Sequence, residues 1–217
     1  MTLVVSDGCV YRACMRSLLV LLLTMLAAAC VAREPASAVA TPSDAFFERL
    51  LTLCGNAYAG RLGAHDASDL AAFAGTPVMH VRECGADEIR IPFHVGDDRS
   101  RTWVIARGTQ GLRLKHEHRH ADGSADAIDR YGGDSAGAAA GSASRQEFPA
   151  DVESKAMFDA AGMQASIDNT WAIEIEPGKR FVYELRRPNR HFSVEFDLTT
   201  PVAPPPPPWG SARTTRG

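Results

Sequence analysis

The sequence predicts a mainly β protein in which an antiparallel meander closes into a small barrel, with a helix before it and one short helix later. Short runs follow one another from Val78 to His120 and from Trp171 to Leu198, and each ends at a tight turn-rich break. The last three runs alternate with period two: Trp171, Ile173 and Ile175, then Phe181, Tyr183 and Leu185, then Phe192, Val194, Phe196 and Leu198 share a face. Charged residues such as Glu174, Glu184, Arg186 and Glu195 take the other face. A meander of about eight to ten strands with one apolar side must curl shut or fold over to hide that side. A barrel is expected, with a β-sandwich as the alternative.

The elements are justified in chain order. Met15-Arg16 precedes an apolar run, Ser17 to Leu26, and then Ala27-Ala28-Ala29-Cys30. That order of basic, apolar and small residues is a signal peptide over 1–29, with Met15 expected as the true start. The run is short for a membrane span. Residues 30–42 are small, polar and proline-bearing, which suits a tether. The domain is expected over 43–200. Ser43 is placed to cap a helix whose apolar stripe is Phe46, Phe47, Leu50, Leu51, Leu53 and Cys54, closed by Gly55.

Strands are then expected at Tyr58 to Gly63, Val78 to Cys84, Ile89 to Val95, Thr102 to Arg107 and Leu112 to His120, with a weak one near Arg130. Gly132 to Ser144 is low in complexity and reads as a mobile loop. Asp151 to Ala161, ended by Gly162, reads as the short later helix, across the barrel's edge or mouth. Strands return at Trp171 to Glu176, Arg180 to Arg187 and His191 to Leu198. Their breaks are Pro177-Gly178 and Pro188-Asn189, the first suited to a type II turn. Residues 201–217 carry five consecutive prolines and read as a frayed polyproline II tail.

Composition narrows the function. The net charge is −3, which gives no electrostatic footprint for nucleic acid. Of five cysteines, Cys9 and Cys14 belong to or precede the signal. Cys54 and Cys84 form an even pair in an exported chain and are expected to be disulfide-bonded, the competing reading being two buried thiols.

Two resemblances add to this. Ala27-Ala28-Ala29-Cys30 resembles a bacterial lipobox, with Leu26 one residue further from the cysteine than in that pattern. The resemblance implies lipidation at Cys30 and a membrane anchor in the periplasm or outer membrane. Ordinary signal cleavage after Ala29 or Ala32, and hence plain secretion, is the competing reading. The leading helix, the meander and the export signal together resemble lipocalin-type barrels in architecture, although Asn56-Ala57-Tyr58-Ala59-Gly60 stands where that family carries Gly-x-Trp. Stretches such as Glu88 to Asp97 and Tyr183 to Phe192 are similar to secreted proteins of Gram-negative bacteria, which supplies no activity.

The chemical candidates are few. On a strand, His116, His118 and His120 share a row with Leu112 and Leu114, so the row faces inward and grows polar toward one end. Arg113, Lys115, Glu117 and Arg119 form the solvent row. Two neighbouring histidines can chelate zinc or copper with a ligand from elsewhere, such as His94, His80, Asp122 or Asp126. The competing reading is a polar rim. His94 is on the row opposite Ile91 and Phe93, facing outward. Gly133-Asp134-Ser135-Ala136-Gly137 matches a nucleophile elbow but lacks the strand–turn–helix context. Arg186 to His191 is a basic turn, suited to an anionic headgroup or a carbohydrate phosphate, and otherwise a solvated hairpin tip. The expected function is that of a non-enzymatic envelope protein binding a small amphiphilic ligand, with a metal role for the histidines as the alternative. No cofactor is expected.

Overall fold

A computed structural model describes residues 40–135 and 141–211. The expected signal peptide, Met15, Cys30, most of the expected tether and the last six residues lie outside the described residues. From Ala40 onward the chain is one compact unit.

Helix α1 is Pro42–Leu51, and Thr41, not Ser43, caps it. The Thr41 hydroxyl accepts from the Asp44 N–H while the Asp44 carboxylate accepts from the Thr41 N–H. Pro42 then occupies the first turn, where a missing N–H costs nothing. Among the described residues eleven strands follow: β1 (Ala57–Leu62), β2 (Pro77–His80), β3 (Glu83–Cys84), β4 (Glu88–Val95), β5 (Asp98–Arg107), β6 (Leu112–His118), β7 (Tyr131–Ser135), β8 (Arg145–Pro149), β9 (Thr170–Glu176), β10 (Arg180–Arg187) and β11 (Arg190–Asp197). Two further helices are α2 (Ala67–Ala72) and α3 (Val152–Ala160), and a 3₁₀ turn spans Gln164–Asp168.

All pairings are antiparallel, in the order β7-β6-β5-β4-β2-β1-β11-β10-β9-β8, with β3 beside β4. The expected barrel is therefore formed, nearly closed, from ten strands. The seam between β7 and β8 carries a bridge at Gly133 and Ala150 and a hydrogen bond from the Asp151 N–H to the Gly132 carbonyl, 2.9 Å. A Cβ on Gly132 would lie 1.8 Å from the Leu114 carbonyl oxygen, and one on Gly133 would lie 1.7 Å from that of Pro149. This close approach explains why Gly132 to Ser135 is strand rather than the expected loop. Residues 136–140 of that loop lie outside the described residues.

Register puts the period-two apolar rows inside: Ile91 opposite Trp103, Trp103 opposite His116, Tyr183 opposite Val194. α1 closes one end with Phe46, Phe47 and Leu50, all fully buried. Arg107, on the inner row of β5, lies 4.2 Å from the Phe47 ring centroid and ion-pairs Asp44 and Glu48. Just beyond α1, Cys54 is disulfide-bonded to Cys84 on β3.

Part of the row expected to meet solvent is covered instead, although Arg113 is exposed as expected. Lys115 reaches Asp151 at 2.7 Å, the residue that caps α3, and Glu117 is held between Arg90 and Arg130. Both are buried because a charge can leave water only when it is paired.

Residues 201–211 are not a frayed tail. The Val202 N–H donates to the Ala57 carbonyl at 2.8 Å, the Trp209 N–H to the Arg99 carbonyl at 3.1 Å, and Arg99 Nη1 to the Pro207 carbonyl at 3.1 Å. Val202, Pro205 and Pro208 are half-buried while Ala203, Pro204, Pro206 and Pro207 are exposed, the three-residue period of a polyproline II helix on a surface. The strap needs no core, because its carbonyls remain free to accept hydrogen bonds.

Candidate binding cup

The end of the barrel opposite α1 holds a cavity of about 410 Å³. Its members come from the rim-ward ends of the inner rows. Trp103 on β5, His116 on β6, Trp171 on β9 and Tyr183 on β10 line its depths, where all four are buried. Phe93, Tyr131, Leu185 and Phe192 extend the wall. Three insertions complete the rim. α2 delivers Phe73 just past its C-terminus, α3 and the 3₁₀ turn deliver Phe158, Met163 and Ser166, and the segment after β6 delivers Asp126 and Ile128.

The rings form a stacked ladder. Phe93 and Trp103 lie 4.8 Å apart between centroids, and Trp103 and Tyr183 4.4 Å apart, both near parallel. His116 stacks on Tyr131 at 4.8 Å. Phe73 meets Phe192 at 4.8 Å, which carries the apolar surface from the wall onto the rim. Such a surface offers area to a flat or acyl group and little to a free ion.

The polar groups of the cup are fixed. His116, 4 % exposed, uses both ring nitrogens: Nδ1 lies 3.1 Å from the Tyr131 carbonyl and Nε2 lies 2.8 Å from the Tyr183 hydroxyl. A carbonyl only accepts, so Nδ1 carries the proton and Tyr183 donates to Nε2. Burial pushes the His116 pKa down to about 3, so the ring is neutral. Burial also raises Tyr131 to about 12 and Tyr183 well above its usual range. His118, half-buried above them, is lowered by burial and then by Arg101; its Nε2 lies 3.3 Å from the Tyr131 hydroxyl.

Charge gathers at the rim. Arg187 and Arg190 are register partners that close the β10–β11 hairpin, whose turn residue Asn189 takes a φ of 59°. Both arginines continue inner rows, so the basic turn is a solvated tip only in part. Arg190 is neutralised by Asp69 on α2, at 2.8 and 2.6 Å, and by Asp66 at 2.9 Å. Burial opposes ionisation of Asp69, but the Arg190 hydrogen bond and the Asp66 N–H bring its pKa below the ordinary value.

Among the described residues, the histidines of the alternative metal reading are not brought together as a ligand set. His116 and His118 share the cup, but His116 has no nitrogen to spare. His120 is exposed beyond the end of β6. His94 is on the outer row of β4, as its phase predicts, yet only 3 % exposed, and among the described residues its Nε2 has no hydrogen-bond partner. Among the described residues no group of three histidines, cysteines or carboxylates is arranged to hold a metal ion. Ser135 is fully buried on the inner row of β7 and hydrogen-bonded to Gln146, in keeping with a motif that lacks its strand–turn–helix context. Sequence reasoning found His116 and His118 but missed the ring ladder, whose members are spread from Phe73 to Phe192. The only local signal was the alternation of aromatic residues on β10 and β11. No family model, curated protein or solved structure matches the chain.

Proposed function

We propose that the chain is an exported, lipid-anchored cell-envelope protein that binds a small amphiphilic ligand in the mouth of its barrel. The carrying observation is the cup itself: about 410 Å³, open at one end, walled by stacked rings and floored by a neutral His116–Tyr183 pair. Its size falls in the range of small-molecule sites, and its few polar groups converge among apolar ones. The Cys54–Cys84 disulfide supports the export half of the reading, since such bonds persist in oxidising compartments.

Titration with dodecanoate tests the ligand half. Trp103 and Trp171 line the cup, so saturable binding at one equivalent changes their fluorescence. No saturable change with dodecanoate, dodecyl phosphate or dodecanol refutes the reading. Mass spectrometry of the mature N-terminus tests the anchor: a diacylglyceryl Cys30 supports it, and an unmodified or absent Cys30 refutes it.

A further inference from the structure

Resting on the ligand reading above, we infer that Arg187 is the headgroup site of the cup and that the ligand carries one anionic group, a carboxylate or a phosphate monoester. Besides Arg101, which is ion-paired with Asp98, two guanidinium groups line the cavity side by side at the rim, on the paired residues Arg187 and Arg190. They differ in one respect. Arg190 is covered by the carboxylates of Asp69 and Asp66. Arg187 lines the cavity and meets neutral oxygens only: its Nη1 donates to Ser166 Oγ at 3.1 Å and to Asn169 Oδ1 at 3.2 Å. Among the described residues no carboxylate lies within ion-pair distance of it.

The geometry of those two bonds matters. A guanidinium has five N–H donors, and both protein acceptors use Nη1. Among the described residues, the edge formed by Nε and Nη2 keeps its donors without a protein partner. That edge is the fork that takes a planar carboxylate or a phosphate through two parallel hydrogen bonds. Ser166 and Asn169 are themselves buried and hold the fork in place, so little side-chain freedom is lost on binding. Two carboxylates also line the cavity. Asp69 is spent on Arg190, and Asp126 lies at the exposed rim, where it accepts from the Ile128 N–H at 3.0 Å.

The cup fixes the size of the apolar part. At roughly 30 Å³ per water-sized group, 410 Å³ holds on the order of a dozen non-hydrogen atoms. Dodecanoate, dodecyl phosphate, dodecanol and dodecyltrimethylammonium share one chain and differ only in the head. Their affinities are compared by calorimetry on the disulfide-intact mature protein, below their micelle concentrations. The expected order is dodecanoate or dodecyl phosphate first, at least about tenfold tighter than dodecanol, with the cation weakest. Which of the two anions leads identifies the head. Arg187→Gln abolishes the gap between dodecanoate and dodecanol, and Arg187→Lys retains part of it. Equal binding of dodecanoate, dodecyl phosphate and dodecanol by the wild-type protein overturns the assignment while leaving the cup a ligand site, and this comparison needs no variant. A gap undiminished in Arg187→Gln overturns it as well. Binding of none of the four removes the ligand reading and this assignment together.

Discussion

The Tyr183 hydroxyl donates to Nε2 of His116 at the bottom of the cup, 2.8 Å away, while the Tyr131 carbonyl takes the other ring proton. One side chain thus satisfies a buried acceptor and stacks on Trp103 at the same time.

Tyr183→Phe separates those two roles. The ring stays, and Nε2 loses its only donor. A buried acceptor left without a partner costs about 1–3 kcal/mol, so urea unfolding should show a loss of that size with an unchanged m-value. His116→Leu in the same background removes the orphan and should restore part of the loss.

Stability should fall as pH is lowered from 7 to 5. Burial first, and then Arg99, brings His94 down to about 4, and burial brings His116 to about 3, against an ordinary 6.5. A histidine whose folded pKa is depressed binds its proton more readily when unfolded, so its contribution is full above pH 6.5 and is lost as pH falls toward the folded value. Each such group changes stability by up to about 1.4 kcal/mol per pH unit in that window. Asp44 and Asp69 have pKa values below the ordinary 3.8 and stay ionised throughout it. Chemical denaturation at pH 7 and pH 5 checks the slope, and His94→Leu should flatten it. Equal stability at the two values would contradict the burial of both rings.

Reduction should destabilise the domain strongly. The disulfide spans 30 residues, from the end of α1 to β3, and closing such a loop is worth roughly 3–4 kcal/mol in the chain-entropy picture. Cys54→Ser with Cys84→Ser should lower the urea midpoint accordingly. The α1 end should loosen first, seen as faster amide exchange at Leu50 and Leu53, while the cup's ligand affinity changes little.

The strap should protect His94. It is hydrogen-bonded to β1 at Ala57 and to β5 at Arg99, and β2 and β4 lie between them in the sheet. Three strand spacings of about 4.8 Å come to about 14 Å, and the five steps from Val202 to Pro207 span about 15 Å as polyproline II. The prolines therefore cross above the outer row that carries His80 and His94. A chain ending at Thr200 should show the His94 imidazole titrating closer to 6.5 by NMR. An unmoved His94 would mean that the ring is buried by the wall alone.

The strands were legible because their information is local: alternation places side chains on faces, and Trp171 to Leu198 needed no partner to reveal it. The disulfide was legible from cysteine number and expected compartment. β8 was not, since the inner row of Arg145 to Pro149 holds the polar Gln146 beside Phe148, and the Gln146 partner, Ser135, is reached across the seam. α2 is six residues long and marked only by the Asp66–Asp69 cap. Lys115 and Glu117 looked solvated because their partners, Asp151 and Arg90, lie far along the chain. The cup was the least legible part: the ladder of aromatic rings belongs to no single segment, and the inequality between Arg187 and Arg190 exists only once α2 has docked.

The wall is fastened along one line by backbone that has no room for even a methyl group. Substituting alanine for Gly133 drives a carbon into the Pro149 carbonyl oxygen across the seam, so the staves must part there. Because that line ends at the mouth, beside Tyr131, a slackened seam widens the bore and loosens the grip on any guest before the rest of the cylinder gives way.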